Sequence, residues 1–358
     1  MRLASSAIVS VLCTVTALAP ARIHLVVNPF GGGGAGLATL DAVRPIFEAA
    51  GMEVNTLMTE YAGHAGEYVS SLDLLDGVVG IGGDGTAHEL ADAMLRRPED
   101  ERVPIGIVPA GSGNTWAFDL GVGDATVAAR AVAAGQTSRV DVRAVESEGD
   151  AAVRYAINIC GVGMPAAVLE RANALRAVTG GANYELAGLT LIAAGQTSYG
   201  ATLEVETADG AITLELEDFS FAQAQVNRHM GKRVCFAPDA LMDDGLLNLV
   251  LIKKSGALDI LHANALARSA MHVDLPFVEV IGCRSYTLTP RRAPPGLQAS
   301  TVNLDGELED LGSGGAFRAR CVPRALEVFS PRLNDARVDT SDELEPRLVM
   351  GLVGLLGG

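Results

Sequence analysis

Three glycine-rich stretches hold most of the residues in this sequence that could do chemistry. They are Asn28-Pro29-Phe30-Gly31-Gly32-Gly33-Gly34-Ala35-Gly36, Gly82-Gly83-Asp84-Gly85-Thr86 and Pro109-Ala110-Gly111-Ser112-Gly113-Asn114. Glycine lets backbone N–H groups approach phosphate oxygens, and a turn that opens a helix adds the favourable end of the helix dipole. Asp84 adds a carboxylate suited to a ribose, a metal or a proton. Thr86, Ser112 and Asn114 add hydrogen-bonding groups. No stretch contains Gly-Lys-Ser/Thr, which excludes a Walker A loop. Gly31, Gly33 and Gly36 match GxGxxG, but Asn28-Pro29-Phe30 separate them from the preceding apolar run, unlike a dinucleotide fingerprint. Singly, each stretch reads equally as a connector or a helix cap. Together, three such turns directly after three strands imply one crevice for a polyphosphate, its charge balanced by dipoles and metal rather than by lysines. Two acidic turns, Asp243-Asp244-Gly245 and Asp305-Gly306-Glu307, read in isolation as a turn before a strand and a hairpin turn.

A sheet must place these turns side by side. Ile23–Val27 is an apolar run of strand length, and Glu53–Met58, Gly77–Ile81 and Ile105–Val108 are further strand candidates. Helical patterns over Leu37–Ala50, Ala65–Leu72 and Ala87–Arg96 separate them. Alternation of this kind predicts an α/β domain over 22–145, a parallel sheet covered by helices, with its chemistry at the carboxyl ends of the strands. After Gly149 the pattern changes. Ala201–Thr207, Ile212–Phe221, Leu246–Ile252, Phe277–Ile281, Tyr286–Thr289, Val302–Leu304 and Leu326–Phe329 read as strands, interrupted by helices over Ala166–Ala177 and Tyr184–Gln196. This predicts a mainly-β sandwich over 146–330, followed by a tail, 331–358, that includes the acidic stretch Asp335–Glu345.

Composition sets further bounds. The chain of 358 residues is 49% hydrophobic and 20% charged, enough for two packed cores. Its net charge is −16, and its only lysines are Lys232, Lys253 and Lys254, which argues against nucleic-acid binding. The same charge means that membrane contact should rest on apolar surface rather than a polybasic patch. Five dispersed cysteines and six dispersed histidines indicate neither a disulfide framework nor a zinc site, and fit a reducing compartment. Residues 1–21, with Arg2, an apolar Ile8–Leu18 stretch and no acidic residue, read as a transit peptide, a signal peptide or a short anchor.

The motifs taken in order resemble the diacylglycerol kinase catalytic family, which includes bacterial lipid kinases and sphingosine and ceramide kinases. The resemblance runs through Asn28-Pro29…Gly31, Gly82–Glu89 and Pro109–Asn114, then Asn158…Gly161…Gly163, Ala237-Pro238…Asp243-Asp244-Gly245-Leu246-Leu247 and Leu304-Asp305-Gly306-Glu307, spanning Arg22 to Phe329. It implies an α/β domain like that of NAD kinases and diacylglycerol kinases, and ATP held between that domain and the β-sandwich. Nucleotide contacts would come from Asn28, Pro29, Gly31 and Gly32, from Thr59, from Gly82, Gly83, Asp84, Gly85, Thr86, Ala87 and His88, and from Gly111, Ser112 and Asn114. Asp244, with the backbone carbonyls of Leu241 and Leu246, would bind Mg²⁺. Glu307 would accept the hydroxyl proton, with Asp84 as the alternative, and Asp305 belongs to the same catalytic turn. The partner would be a lipid substrate at a membrane surface, its acyl chains near Met164–Val178 and Leu186–Ala194. The enzyme would be a peripheral membrane protein facing a cytoplasmic or organellar ATP pool, with homodimerisation left open. Two departures bear on the substrate. Ser112-Gly113-Asn114-Thr115 follows the sphingosine-kinase version of the third motif. Met164-Pro165 replaces the acidic segment expected after Gly163, where sphingosine kinases recognise the substrate amine. A glycerolipid is therefore expected ahead of a sphingoid base or ceramide, and both ahead of a soluble dinucleotide or a non-catalytic sensor.

Overall fold

The computed structural model describes residues 22–72, 76–148, 150, 152–179, 183–310, 315–331 and 333. The expected leader 1–21 and the acidic stretch Asp335–Glu345 lie outside them.

The first half is a parallel sheet with helices on its faces. Strands β1 (Arg22–Val27), β2 (Glu53–Met58), β3 (Gly77–Gly82) and β4 (Ile105–Pro109) alternate with helices α1 (Ala35–Ala49), α2 (His64–Ser71) and α3 (Asp84–Arg96), in the order β2-β1-β3-β4. Every residue of β3 and all but the first of β1 are buried, as strands covered on both faces must be. The carboxyl ends of β1, β3 and β4 are neighbours, so the three glycine turns emerge on one edge. A short α4 (Thr115–Asp119) and α5 (Ala125–Ala133) follow; the Asp124 carboxylate caps α5 on the amides of Thr126 and Val127.

The chain then enters the sandwich through β5 (Thr137–Ser147), β6 (Arg154–Ala156), β7 (Ile159–Gly163), α6 (Met164–Thr179) and α7 (Tyr184–Ala193). It continues with β8 (Tyr199–Thr207), β9 (Gly210–Phe219), β10 (Phe221–Gln225), the small hairpin β11 (His229–Met230) and β12 (Val234–Cys235), β13 (Leu247–Ile252) and α8 (Ala257–Ala267). It ends with β14 (Val278–Cys283), β15 (Ser285–Arg292), β16 (Thr301–Leu304), β17 (Glu307–Asp310) and β18 (Phe317–Phe329). One layer is the antiparallel sheet β14-β13-β10-β7-β16-β17. The other continues the α/β sheet itself, because β18 pairs with β15 near its start, meets β4 at Val328↔Ile105, and carries β5 along its opposite edge. Between the layers lies an apolar core that includes Val162, Leu203, Val205, Leu249, Leu251, Tyr286 and Phe317.

The sheet shared by both halves is the main difference from the sequence-based expectation. Strand β5 was not expected, and β18 is far longer than Leu326–Phe329. Ile212–Phe221 is also two strands rather than one. Ser220 donates its N–H to the Ile252 carbonyl and accepts from Met164 N–H, so the chain passes from one layer to the other at that residue.

Candidate active site

The three glycine turns touch one another through backbone. Asn28 Oδ1 accepts from the amides of Phe30 (3.0 Å) and Gly31 (3.1 Å), folding the first turn back on itself. A Cβ at Gly32, where φ is +56°, would collide with the Ala110 carbonyl oxygen, and one at Gly111 would collide with the Gly83 Cα. The first and third turns and the second and third turns therefore pack at distances only glycine permits. The third turn is closed by Asn114, itself left-handed at φ 54°, whose side chain accepts from Gly111 N–H and donates to the Gly111 carbonyl, both at 2.8 Å. By contrast, a Cβ at Gly33, Gly34 or Gly85 would meet nothing within 4 Å, so those backbone positions border open space. Thr59 is buried, its N–H bonded to the Val27 carbonyl, and Thr86 is buried against Gly82. Ser112 is exposed at the tip of the third turn. The residues fit a polyphosphate: narrow, glycine-lined and open on one side.

Asp84 opens α3 and reaches across to the start of α4, where its Oδ1 accepts from Trp116 N–H at 3.0 Å. Burial raises its pKa, and the amides of Trp116, Thr115 and Asn114 pull in the opposite direction without cancelling the rise. One turn along α3, His88 Nδ1 bonds Asp305 Oδ2 at 2.9 Å. Burial alone would lower the histidine pKa, but the hydrogen bond and charge of Asp305, with Glu307 and Asp92 farther off, raise it to about 9. His88 is thus an imidazolium at neutral pH. For Asp305, burial pushes the pKa up but the His88 contact and backbone amides pull it down further. The carboxylate also accepts the N–H groups of Ile157 (2.7 Å), Asn158 (2.9 Å) and Ile159 (2.7 Å). Fully committed in this way, Asp305 pins β7 and His88 rather than standing ready as a base. Glu307 starts β17 two residues later, exposed and electrostatically coupled to His88. Asp84, His88, Asp305 and Glu307 thus come together from both halves of the molecule.

Asp244 does not join this cluster. Its Oδ1 accepts from Leu246 N–H at 2.9 Å, and the turn is tied to β5 and β18, where buried Asp141 accepts from Gly245 N–H (2.6 Å) and Arg324 N–H (2.7 Å). Partial burial and the neighbouring Asp243 raise the Asp244 pKa. A hard, all-oxygen donor set made of Asp244 and the carbonyls of Leu241 and Leu246 suits Mg²⁺ or Ca²⁺ chemically. Its place in the fold is a brace between strands rather than the glycine crevice. The described residues contain no cluster of three or more metal-ligating side chains.

Two polar devices escaped the sequence reading. Asp141, which holds the Asp243-Asp244-Gly245 turn, lies in the unexpected strand β5. Asp119, at the end of α4, accepts from Asn227 Nδ2 (2.8 Å), His229 N–H (3.0 Å) and the His229 ring, locking the β11–β12 hairpin to the α/β domain. Neither belongs to a local motif, because every one of these partners lies more than a hundred residues away in sequence.

Comparison with known proteins matches this arrangement. Residues 22–145 match the model described as diacylglycerol kinase catalytic domain, and 158–330 match the YegS C-terminal NAD kinase beta sandwich-like domain. The chain is 33% identical over 208 residues to Sphingoid long-chain bases kinase 1 of Arabidopsis thaliana, spanning 55% of this chain but 27% of that protein. It is 26% identical over 325 residues to Diacylglycerol kinase of Bacillus subtilis, covering 89% of this chain and 99% of that one. A crystal structure of a putative diacylglycerol kinase from Bacillus anthracis shares the fold, with a TM-score of 0.67 at 19% identity over 87% of this chain and 96% of that one. With both domain models matched in order around one shared crevice, the chain belongs to the family of diacylglycerol, sphingosine and ceramide kinase-like lipid kinases.

Proposed function

We propose that this protein transfers the γ-phosphoryl group of ATP, with Mg²⁺, to the hydroxyl of a diacylglycerol or a related glycerolipid. The observation that carries this reading is the meeting of three glycine turns, open at Gly33, Gly34 and Gly85, with an acid–histidine cluster drawn from both domains. Backbone N–H groups of the turns hold the phosphates. The His88 imidazolium, kept charged by Asp305, supplies positive charge that lysines supply in P-loop sites. Glu307, exposed and within electrostatic reach of His88, would accept the hydroxyl proton late in the transfer. Asp84 holds α4 against the second turn and presents its raised pKa to the same space. Magnesium ions held with the phosphates would neutralise developing negative charge.

A glycerolipid is favoured because no carboxylate stands at the head of α6. Met164 is buried there, and Pro165 gives its carbonyl to Asn303. A sphingoid base is the second reading, supported by Ser112-Gly113-Asn114-Thr115 and by relatives such as the Arabidopsis enzyme. Purified protein incubated with labelled ATP, Mg²⁺ and mixed micelles of diacylglycerol, sphingosine or ceramide separates the two. The proposal expects labelled diacylglycerol phosphate. Label on sphingosine alone would transfer the assignment, and label on no lipid would end it.

A further inference from the structure

Away from the crevice, a sulfur, an imidazole and a carboxylate stand together where β11–β12 meets α4. The hairpin pairs His229 directly with Cys235, so their side chains leave one face of the ribbon as cross-strand neighbours. His229 Nδ1 bonds Asp119, and the same carboxylate accepts His229 N–H (3.0 Å) and Asn227 Nδ2 (2.8 Å). His229 is buried and the Asp119 side chain is only 6% exposed, so water screens this pair little. With Nδ1 held there, Nε2 is the nitrogen left for the thiol. Cys235 couples to the ring both as a hydrogen-bond partner and through charge. Burial alone would lower the His229 pKa, but Asp119 and Cys235 raise it to about 9, which makes the ring an imidazolium at neutral pH. Phe118 meets that ring edge to face at 5.1 Å and carries the Arg233 guanidinium 4.4 Å from its own centroid. The imidazole is therefore fixed in orientation, and a second cation stands close by.

Nucleophilic chemistry asks for these three parts: a carboxylate that orients, an imidazole that carries the proton, and a sulfur that attacks. Fastening the hairpin to α4 needs only the first two. The other described cysteines have a different setting. Cys160, Cys283 and Cys321 are buried, and burial pushes the last two up to about 12, as for inert core thiols. Cys235 is partly exposed. A reactive thiol needs a neighbouring cation and a path from solvent. Among the described cysteines, Cys235 alone has both.

We infer that Cys235 is a modification site, a thiol that hydroperoxides oxidise to a sulfenic acid with His229 as the proton donor. Beside the imidazolium the sulfur attacks as thiolate, its own proton lost to solvent. The S–O bond forms as the peroxide O–O bond breaks, and the leaving hydroxide takes the Nε2 proton and departs as water. The sulfur loses two electrons and the peroxide gains them; the imidazole then regains a proton from solvent. No residue of the crevice takes part, so the inference stands apart from the lipid-kinase reading. Brief exposure of the reduced full chain to hydrogen peroxide with dimedone, followed by peptide mass spectrometry, tests it. Dimedone should mark Cys235 at about ten times the rate at which free glutathione is oxidised, or faster, and leave Cys160, Cys283 and Cys321 unmarked. His229→Gln should slow the marking of Cys235 about tenfold, toward a free thiol. Unfolding would do the opposite, exposing Cys235 and the three buried cysteines with it, so a slower reaction cannot come from lost structure. A wild-type rate no greater than that of glutathione would overturn the inference, and so would a His229→Gln protein as reactive as wild type. Should that variant mark the three buried cysteines, the comparison of wild type with glutathione decides alone.

Discussion

At the scale of single residues, the structure separates carboxylates that hold things from carboxylates that face the open crevice. Asp305 accepts three backbone amides and His88. Asp305→Asn should therefore cost stability as well as turnover, whereas Glu307→Gln should lower kcat by about a hundredfold or more with an unchanged Tm. Equal Tm losses in the two would contradict that division. His88 gives a pH signature. Its folded pKa, about 9, is raised above the ordinary 6.5, so the pair's contribution to stability is fully present below about pH 6.5 and is lost as pH rises through about 9. The Tm difference between wild type and His88→Gln should be widest at pH 6 and close above about pH 10. His229, raised to about 9 beside Asp119, loses its own share over the same range but equally in both proteins. A constant difference across the range would sink the assignment. Asp84, His88 and Glu307 were visible in the sequence because they sit inside motifs. The engagement of Asp305 was not, since its His88 contact spans 217 residues of chain and nothing local encodes it.

At the scale of turns and strands, glycines that look alike in sequence do different things. A Cβ at Gly36 would strike the Asn28 carbonyl, while one at Gly33 would meet nothing and be disfavoured only by φ +74°. Gly33→Ala should therefore destabilise by about 1–2 kcal/mol, the cost of a left-handed residue, and Gly36→Ala by clearly more. Urea titration of both would show it, and equal losses would contradict the packing described here. The Asp243-Asp244-Gly245 turn makes a separate prediction. If its oxygens bind a cation as a brace, millimolar Mg²⁺ or Ca²⁺ should raise the Tm of wild type and not of Asp244→Ala, with no nucleotide present. The strands β1, β3 and β4 were legible because each is a buried apolar run leading into a glycine-rich turn, whereas β2 is largely exposed and was placed by its position between two helical patterns. β18 was not legible, because Pro323 and left-handed Arg324 interrupt it. The structure absorbs both in a bulge between Val322 and Leu326, where the pairing with β5 shifts register.

At the scale of the whole molecule, the two halves share a sheet. Because β18 pairs at once with β5, β15 and β4, the sheet of one half runs into that of the other with no edge between them. Calorimetry should show one unfolding transition, with calorimetric and van't Hoff enthalpies in agreement, and Val328→Asp should lower the stability of both halves together. Two resolved transitions would mean that the halves fold apart. The presence of an α/β half and a β half was readable from the change of pattern after Gly149. That the last strand returns to the first domain was not, because periodicity reports what a segment is and not what it lies beside.

The shared crevice also carries an optical gauge of its own. The chain has a single tryptophan, Trp116, which is 1% exposed and bonded through its amide to Asp84. Any ligand that draws on the Asp84 carboxylate must disturb the start of α4 and so the surroundings of that one indole. Emission from the unmodified protein can thus follow occupancy of the crevice without a label, and Asp84→Asn should silence the change.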